Sequence, residues 1–256
     1  MKISVITVSY NSEKTIRETI ESVLGQDYMN IEYIIVDGCS TDNTIKVIKD
    51  YESRFISANI EYKWISENDK GIYDALNKGI VMATGDVVGI LNSDDFYFDT
   101  DVLSVIAESF KKHNFDCLYA NLKYIDKETG KVTRDWKSRS FEKGLFEKSW
   151  TPAHPTFYCR KSVYEKYGLY RTDLKIAADV ELMYRYLEIN DVKSYYLDKY
   201  LVSMRRGGIS NNGLKSTIII TKEMIKAYRD NGEHLNIFKY LLNKLFKLKE
   251  LNFSGK

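Results

Sequence analysis

Two adjacent carboxylates, Asp94 and Asp95, follow a short apolar segment at residues 87–91. The segment is typical of a buried strand, and Asn92 and Ser93 connect it to the two acids. Acids side by side repel each other unless a cation lies between them. A hard divalent ion prefers carboxylate oxygens and lets phosphates complete its coordination shell. The pair therefore predicts a site for a hard divalent cation, and the alternative is a solvated turn that caps the next helix.

The composition is that of an ordinary soluble globular protein. The 256 residues are 44% hydrophobic and 29% charged, and the formal net charge of +2 gives no reason to expect nucleic acid as a partner. Three cysteines without CxxC spacing argue against a disulfide framework or a zinc site and favour a reducing compartment. No apolar stretch approaches membrane-spanning length, and the chain starts too abruptly for a signal peptide. We therefore expect a cytoplasmic protein.

Strand and helix patterns alternate over the first 120 residues. Apolar, largely β-branched segments predict four strands, each followed by an amphipathic helix, at residues 3–9, 31–36, 60–65 and 87–91. This alternation favours a parallel, Rossmann-like sheet with right-handed crossovers. Ligands bind at the carboxyl ends of such strands, so the loops after these strands should gather into one crevice.

The pattern changes after residue 120. The later elements are predicted as a hairpin, a helix, a strand and a second helical stretch, at residues 124–133, from about Ala177, at 195–204 and from about Leu214. We therefore predict one catalytic domain at residues 1–212, with a nucleotide-binding half at 1–120 and an acceptor-binding half at 121–212. A helical tail at 213–256 follows it.

Five segments carry motifs that occur in this order in one enzyme family. They are VITVSYN at residues 5–11, VDGCSTD at 36–42, SENDKGIYDALNKG at 66–79, NSDD at 92–95 and AAD at 177–179. Together they resemble family 2 glycosyltransferases, in the subgroup that builds polysaccharides, and the resemblance covers residues 1 to about 212. It implies the GT-A fold, a mixed and mainly parallel Rossmann-like sheet flanked by helices. It also implies an inverting transferase with a nucleotide-diphospho sugar as donor.

The resemblance assigns the first strands to the nucleobase. Thr7, Ser9 and Tyr10 would line its pocket, with the Tyr10 ring available for stacking. Asp37 would accept a hydrogen bond from a base N–H, that of uracil by preference, because an ionised carboxylate can only accept. The alternative for Asp37 is a structural role, capping Ser40 at the end of a strand.

Residues 66–79 resemble the subgroup signature D-x-G-I-Y-D-A-x-N-x-G. Within it, Asp69 is assigned to nucleotide binding together with Lys70 and Gly71, because a lysine at a helix start suits phosphate contact. For Lys70 the alternative is simple surface charge. Asn77 could either bridge to the ribose or fix the loop.

The acid pair resembles the family's metal motif, with Asn92 in the place where a first acid is often found. By this resemblance Asp95 would ligate Mg²⁺ or Mn²⁺, and Asp94 would share the metal or the ribose; the sequence does not decide which acid touches the metal. The ion would act as a Lewis acid on the diphosphate leaving group.

Asp179 resembles the family's general base, which takes the proton of the acceptor hydroxyl on the face opposite the leaving group. Capping of its own helix is the alternative, and Glu181 is a weaker candidate because it faces elsewhere. His154 lies between two prolines in a rigid segment that resembles the family's H-x-x-F. Contact with the donor, contact with the acceptor and metal ligation are all open for it.

Two later segments suggest ligands or partners. Arg205, Arg206 and Ser210 belong to a loop that resembles the subgroup's G-G-x-S motif, where arginines could grip phosphate; an exposed turn is the alternative. Residues 234–249 combine apolar positions with lysines, and such a helix either packs on the core or lies on an anionic membrane. The predicted acceptor is a saccharide or lipid-linked saccharide, and peripheral association with the inner face of the cell membrane would suit it.

The resulting prediction is an inverting, metal-dependent hexosyl- or N-acetylhexosaminyltransferase that uses a UDP-sugar. A nucleotidyltransferase is one alternative, but it would favour a basic, Gly-rich loop where this chain has Ser9-Tyr10-Asn11-Ser12. A catalytically inactive nucleotide-sugar binder is the non-enzymatic alternative. The presence of the acid pair together with Asp179 argues against it.

Overall fold

The computed structural model describes residues 1–126, 128–205 and 213–244. The strands are β1 (Ile3–Ser9), β2 (Ile31–Asp37), β3 (Glu61–Ser66), β4 (Val87–Ile90), β5 (Phe96–Tyr97), β6 (Cys117–Ile125), β7 (Val132–Trp136), β8 (Tyr158–Arg160) and β9 (Ser194–Arg205). Within the described residues they form one mixed sheet in the order β3-β2-β1-β4-β8-β6-β9-β5, with β7 paired to β6.

Helices cover both faces of this sheet. They are α1 (Ile16–Leu24), α2 (Thr44–Asp50), α3 (Glu52–Ser57), α4 (Ile72–Met82), α5 (Val102–Lys112), α6 (Lys161–Tyr167), α7 (Ala178–Tyr184) and α8 (Gly213–Asp230), with a 3₁₀ turn at His154–Thr156 and a π-helical turn at Arg185–Ile189. Residues 237–244 are also helical. Apolar side chains of α1, α2, α3 and α5 pack on one face, and those of α4, α6, α7 and α8 on the other.

The first four long strands are parallel, as the alternating pattern predicts. Their register pairs Ser9 with Asp37, Asp37 with Ser66 and Ile6 with Ile90. Every residue of β1 and β2 is buried, in keeping with strands that are covered on both faces. Their carboxyl ends therefore meet at one edge, which we call the crevice edge.

The remaining strands make the sheet mixed. Strand β8 runs antiparallel to both β4 and β6, β9 is parallel to β6, and β5 is antiparallel to β9. A Cβ atom on Gly89 of β4 would lie 2.0 Å from the Tyr158 ring, so only glycine allows this ring to cross the strand. The predicted hairpin is confirmed as β6 and β7. Strand β6 runs through residue 120, the predicted division between the two halves.

The helix α8 is built into the core. Its Met224 and Tyr228 side chains are buried with those of α7, and the Tyr228 ring stacks on that of Tyr184 at 4.2 Å between centroids. The described part of the chain contains no helix that combines the length and the apolarity needed to cross a bilayer.

The edge opposite the crevice contains a buried carboxylate, that of Glu32. It accepts hydrogen bonds from Ser4 Oγ at 2.6 Å, Lys63 Nζ at 2.6 Å and Thr84 N at 2.8 Å. Burial alone would raise the pKa of Glu32, but these donors outweigh it and hold the pKa at about 2. The network ties the starts of β1, β2 and β3 to the segment before β4.

Candidate active site

Asp37 holds together the loops of the crevice edge. Its carboxylate is fully buried and accepts from Ser9 Oγ at 3.0 Å, Ser40 N at 2.8 Å, Ser40 Oγ at 2.5 Å and Ser66 Oγ at 2.8 Å. Its acceptor positions are all used within the protein in this structure, and nucleobase binding by Asp37 stays a prediction. The structural alternative, capping of Ser40, is what the structure shows.

Two other predicted pocket residues also serve the interior. Thr7 is fully buried, donates to the Leu91 carbonyl at 2.7 Å and accepts from the Tyr33 hydroxyl at 3.0 Å. Ser9 is buried as well, with its hydroxyl directed to Asp37. Neither side chain lines a pocket, because both satisfy buried polar groups that would otherwise be unpaired.

Tyr10, Gly38 and Asp69 do meet at the surface of the crevice edge. The Tyr10 ring is 65% exposed. A Cβ atom on Gly38 would lie 2.6 Å from Asp69 Oδ2 and 3.5 Å from Tyr10 Cδ2, so the missing side chain makes room for both groups. Asp69 Oδ1 accepts from Gly71 N at 2.8 Å, whereas no donor among the described residues reaches Oδ2. An exposed ring beside an open acceptor can stack on a base and bind its N–H.

Lys70 and Gly71 lie at the start of α4. Both are exposed, and the Gly71 φ of 113° is a conformation that glycine adopts readily. The Lys70 side chain forms no ion pair with any described residue, while its backbone N–H donates to Asp74 Oδ2 at 3.0 Å. The structure therefore leaves the Lys70 ammonium available to a phosphate.

The two acids of the pair differ sharply in surroundings. Asp95 is fully buried and accepts from Asn92 Nδ2 at 3.0 Å and from Arg205 N at 3.3 Å. Burial, and secondly the charge of Asp94, raise the pKa of Asp95 to about 8. Asp94 is partly exposed, and its carboxylate accepts no hydrogen bond from the described residues. The sequence does not decide which of the two acids would touch the metal, and this geometry favours Asp94 because its carboxylate is the more open one.

The residues around Asp94 fit a metal ion that takes most of its coordinating oxygens from a bound substrate and from water. The described residues contain no cluster of three His, Cys, Asp or Glu side chains that could bind an ion alone. Mg²⁺ commonly uses one or two carboxylates and takes its other ligands from substrate phosphates and water. The Asp94 carboxylate, which accepts no bond from the described residues, is compatible with that donor set. It directly follows Ser93, whose hydroxyl oxygen lies 2.9 Å from that of Ser12.

Arg205 braces the acid pair. Its Nη1 donates to the Asp94 carbonyl at 2.5 Å, its Nη2 pairs with Glu18 of α1, and its guanidinium stacks over the Phe96 ring at 5.1 Å. The side chain is only 11% exposed. Both terminal nitrogens of Arg205 thus bond within the protein, which is a structural role, and contact of this residue with a phosphate stays a prediction. Arg206 and Ser210 lie outside the described residues.

Asp179 lies in the first turn of α7, held by two side chains from other elements. Its Oδ2 is 3.2 Å from His154 Nδ1, and the Tyr73 hydroxyl is 3.4 Å from its Oδ1. The Asp179 side chain remains 19% exposed. Glu181, in contrast, is buried in an ion pair with Arg185 at 2.9 Å, as expected for a structural residue.

The signature at residues 66–79 fastens the segment that carries Asp179. Asn77 Nδ2 donates to the Tyr170 carbonyl at 2.8 Å and Asn77 Oδ1 accepts from Tyr170 N at 2.9 Å. The Tyr73 hydroxyl donates to the Ile176 carbonyl at 2.6 Å. Of the two roles open for Asn77, the structure shows loop fixing, because both ends of its amide are occupied.

Sequence reasoning missed Glu223. This side chain of α8 accepts hydrogen bonds from three consecutive backbone N–H groups just before α7, those of residues 175–177. The one signal available was Ala177, which stands at the N-cap of α7 although alanine cannot cap a helix.

Comparison with known families identifies this architecture. The model of the family "Glycosyl transferase family 2" matches residues 4–168, which carry the loops of Tyr10, Asp69 and Asp94. The chain belongs to glycosyl transferase family 2. The match ends before Asp179 and before α8.

Individual relatives agree with this membership. An uncharacterized glycosyltransferase of Mycobacterium tuberculosis is 33% identical over 189 residues, 72% of this chain and 68% of the relative. The poly(ribitol-phosphate) beta-N-acetylglucosaminyltransferase TarS of Staphylococcus aureus is 32% identical over 128 residues, which are 49% of this chain and 22% of TarS. The chain thus spans only a part of TarS.

Solved structures share the GT-A fold. TarS residues 1–349 in complex with UDP-GlcNAc superpose with a TM-score of 0.63 at 22% identity, covering 88% of this chain and 73% of that one. The mannosyltransferase PcManGT of Pyrobaculum calidifontis, in complex with GDP-Man and Mn²⁺, gives a TM-score of 0.66 at 17% identity, covering 94% and 68%. The predicted fold class, a mixed and mainly parallel sheet flanked by helices, is confirmed.

Proposed function

We propose that this family 2 member is an inverting glycosyltransferase that moves a sugar from a UDP-sugar to a hydroxyl of a saccharide or lipid-linked saccharide. The observation that carries the proposal is the position of Asp179. Its partly exposed carboxylate is held between His154 and Tyr73, and Tyr73 comes from the first turn of α4, which starts at the crevice edge. A positioned base and an open crevice are what transfer to a hydroxyl requires.

The donor nucleotide occupies the surface formed by Tyr10, Gly38 and Asp69. The ring of Tyr10 stacks on the base, Asp69 Oδ2 accepts from a base N–H, and Lys70 contacts the diphosphate. Uracil suits this arrangement because its N3–H is a donor that a carboxylate can accept. The TarS complex with UDP-GlcNAc supports UDP as the nucleotide and favours an N-acetylhexosamine as the sugar.

A divalent ion, Mg²⁺ or Mn²⁺, would be held by Asp94 together with the diphosphate oxygens. When bound, it supplies positive charge to the diphosphate leaving group. The buried Asp95 keeps the loop of Asp94 in place through its bonds to Asn92 and to the backbone of Arg205. The Mn²⁺ in the PcManGT complex supports this requirement.

Asp179 acts on the acceptor. Its carboxylate takes the proton of the attacking hydroxyl, and the new bond forms on the sugar face opposite the diphosphate, which inverts the anomeric centre. In the tautomer that carries a proton on Nδ1, His154 donates to Asp179 Oδ2, 3.2 Å away, and this contact orients the carboxylate.

The acceptor and the compartment follow from the same proposal. The TarS name, poly(ribitol-phosphate) beta-N-acetylglucosaminyltransferase, supports a hydroxyl-bearing polymer as acceptor, and a lipid-linked acceptor would place the enzyme at the inner face of the membrane. Exposed apolar side chains on the helix at residues 237–244 support peripheral contact with that face, among them Ile237, Phe238 and Leu242.

The test combines binding with turnover. A thermal-shift screen of UDP, GDP, dTDP and CDP, with and without Mn²⁺, should show stabilisation by UDP that increases with metal. Asp179→Asn should bind UDP as the unchanged protein does but transfer sugar about 10²- to 10⁴-fold more slowly, because a positioned base contributes that much. A full transfer rate in Asp179→Asn would refute the assigned base, and a lack of response to every nucleotide would refute the donor class.

A further inference from the structure

Residues 170–177 form a segment without helix or strand that leads into the first turn of α7, where Asp179 lies. Neighbouring elements fasten it at several points. Helix α4 contributes the Asn77 amide at Tyr170 and the Tyr73 hydroxyl at Ile176. These contacts hold the side of the segment that faces α4, so a second support is needed to fix its direction.

Glu223 of α8 provides that second support. Its Oε1 accepts from Lys175 N at 2.7 Å, and its Oε2 accepts from Ile176 N at 3.0 Å and Ala177 N at 2.8 Å. The same peptide region is thus held through its carbonyl by α4 and through its N–H groups by α8. Ala177, the N-cap residue of α7, has no side-chain acceptor of its own.

Three convergent N–H groups call for an anion. Backbone N–H groups carry partial positive charge, and charge-assisted bonds to a carboxylate are about twice as strong as neutral ones. A nearby ion-pair network joins the same two elements without reaching these donors: Lys226 pairs with Asp173, and Arg171 bridges Asp173 and Asp230. General docking of α8 and the specific clamp on residues 175–177 therefore rest on different side chains.

We propose that Glu223 is a positioning residue for Asp179, so that α8 is a part of the active site. The inference rests on the proposed function of Asp179. Glu223 touches neither donor nor acceptor; it sets the path of the backbone that aims the carboxylate of the base. Nucleotide binding, which depends on the loops after β1 to β4, does not require it.

The experiment compares Glu223→Ala and Glu223→Gln with the control Lys226→Met. Glutamine keeps the size and can keep its oxygen at Ile176 N and Ala177 N, but it turns its amide donor toward Lys175 N and removes the charge, so Glu223→Gln weakens the clamp and Glu223→Ala removes it. We expect kcat for sugar transfer to fall about 10- to 100-fold, as displacement of a reacting group by about 1 Å does. The UDP Kd should stay within about twofold, the normal scatter between variants that keep a binding site. Lys226→Met breaks the adjacent ion pair and should keep its kcat.

A double-mutant cycle decides whether Glu223 acts through Asp179. In the Asp179→Asn background, adding Glu223→Ala should cause little further loss of residual transfer, because the group being aimed is already gone. Hydrogen exchange of the backbone N–H groups at residues 175–177 should accelerate in Glu223→Ala and not in Lys226→Met.

Three results would overturn the inference. The first is a full kcat in both Glu223 variants, the second is an equal loss in the Asp179→Asn background, and the third is an equal loss in Lys226→Met. If Asp179→Asn itself keeps full transfer, the proposed function fails and this inference fails with it. If Asp179→Asn loses transfer while Glu223→Ala keeps it, only the positioning role is refuted.

Discussion

At the scale of single residues, the crevice carboxylates divide by how many of their oxygens are already bonded. Asp37 and Asp95 are fully buried and satisfied on both oxygens, whereas Asp69 and Asp94 each keep an acceptor that no described residue occupies. A ligand gains little from a carboxylate whose partners it must first displace, since each broken bond costs about 1–3 kcal/mol. We therefore expect Asp69 and Asp94, rather than Asp37 and Asp95, to bind the ligand.

Gly38→Ala tests the role of Asp69. The new Cβ would lie 2.6 Å from Asp69 Oδ2, so the carboxylate must move while the backbone fold is unaffected. We expect UDP to bind about tenfold more weakly, a cost of about 1.4 kcal/mol, with a small change in Tm. Calorimetric titration with UDP measures this, and Asp69→Asn serves as the matched variant. Unchanged affinity in both would remove Asp69 from the nucleotide site.

The acid pair gives a second test at this scale. Asp94→Asn should weaken the binding of Mn²⁺ to the UDP complex by more than about 100-fold, because loss of a supporting group alone costs 10- to 100-fold. Asp95→Asn should leave an open metal ligand in place and act mainly on stability. Titration of Mn²⁺ in the presence of UDP distinguishes the two, and the opposite order of effects would restore Asp95 as the ligand.

The residue types of the site could be predicted from the sequence, but their partners could not. Asp37 and Asp69 both lie where parallel strands end. The sequence does not indicate which of the two carboxylates accepts hydrogen bonds from neighbouring serines. That difference arises from the register that brings Ser9 and Ser66 to either side of Asp37. Glu223 was out of reach because it lies 46 residues after Ala177 on an ordinary charged helix.

At the scale of elements, the strands were the most predictable features. The third predicted strand, residues 60–65, is found at Glu61–Ser66, and the last, residues 195–204, at Ser194–Arg205. Such runs owe their conformation to their own β-branched and aromatic side chains. The signature at 66–79 was assigned to the nucleotide in part, yet its Asn77 binds the protein itself, because a polar helix face serves either purpose.

The helix at residues 237–244 carries a prediction about membranes. Phe238 is 78% exposed and Ile237 is 44% exposed, whereas Lys239 is engaged with Glu147 at 2.6 Å. Apolar insertion would therefore contribute more than charge. Phe238→Asp should reduce sedimentation with anionic liposomes severalfold and keep the kcat for a soluble acceptor. Equal sedimentation of both proteins would exclude this helix as a membrane contact.

At the scale of the whole molecule, the sheet has two edges with different tasks. The crevice edge collects loops whose polar groups are left partly open, and the opposite edge is closed by the network of Glu32. A satisfied, buried network rigidifies the strands that the crevice loops depend on. The residues that stabilise the sheet around Glu32 and the residues that could bind a ligand therefore lie at opposite ends of the strands.

Glu32 makes the stability of the fold depend on pH. Its pKa is held at about 2, below the ordinary value of 4.5, so its stabilising effect is complete above pH 4.5 and is lost as the pH falls toward 2. Glu32→Gln should lower the free energy of unfolding by about 3 kcal/mol at neutral pH. It should also reduce the decrease of that free energy as the pH falls from 4.5 toward 2. Urea unfolding between pH 2 and 7 measures both effects. The exposed Glu61→Gln is the control, with an expected cost below about 1 kcal/mol.

The clamp by Glu223 also has a consequence for how activity arises during synthesis. Chains emerge from the ribosome amino terminus first, and residues 1–126 already carry Tyr10, Asp69 and Asp94. Glu223 is added only after the whole of β9, so a nascent chain contains the residues assigned to the nucleotide before it contains the clamp on residues 175–177. A chain that stopped before α8 would therefore lack the second support of the segment that carries Asp179.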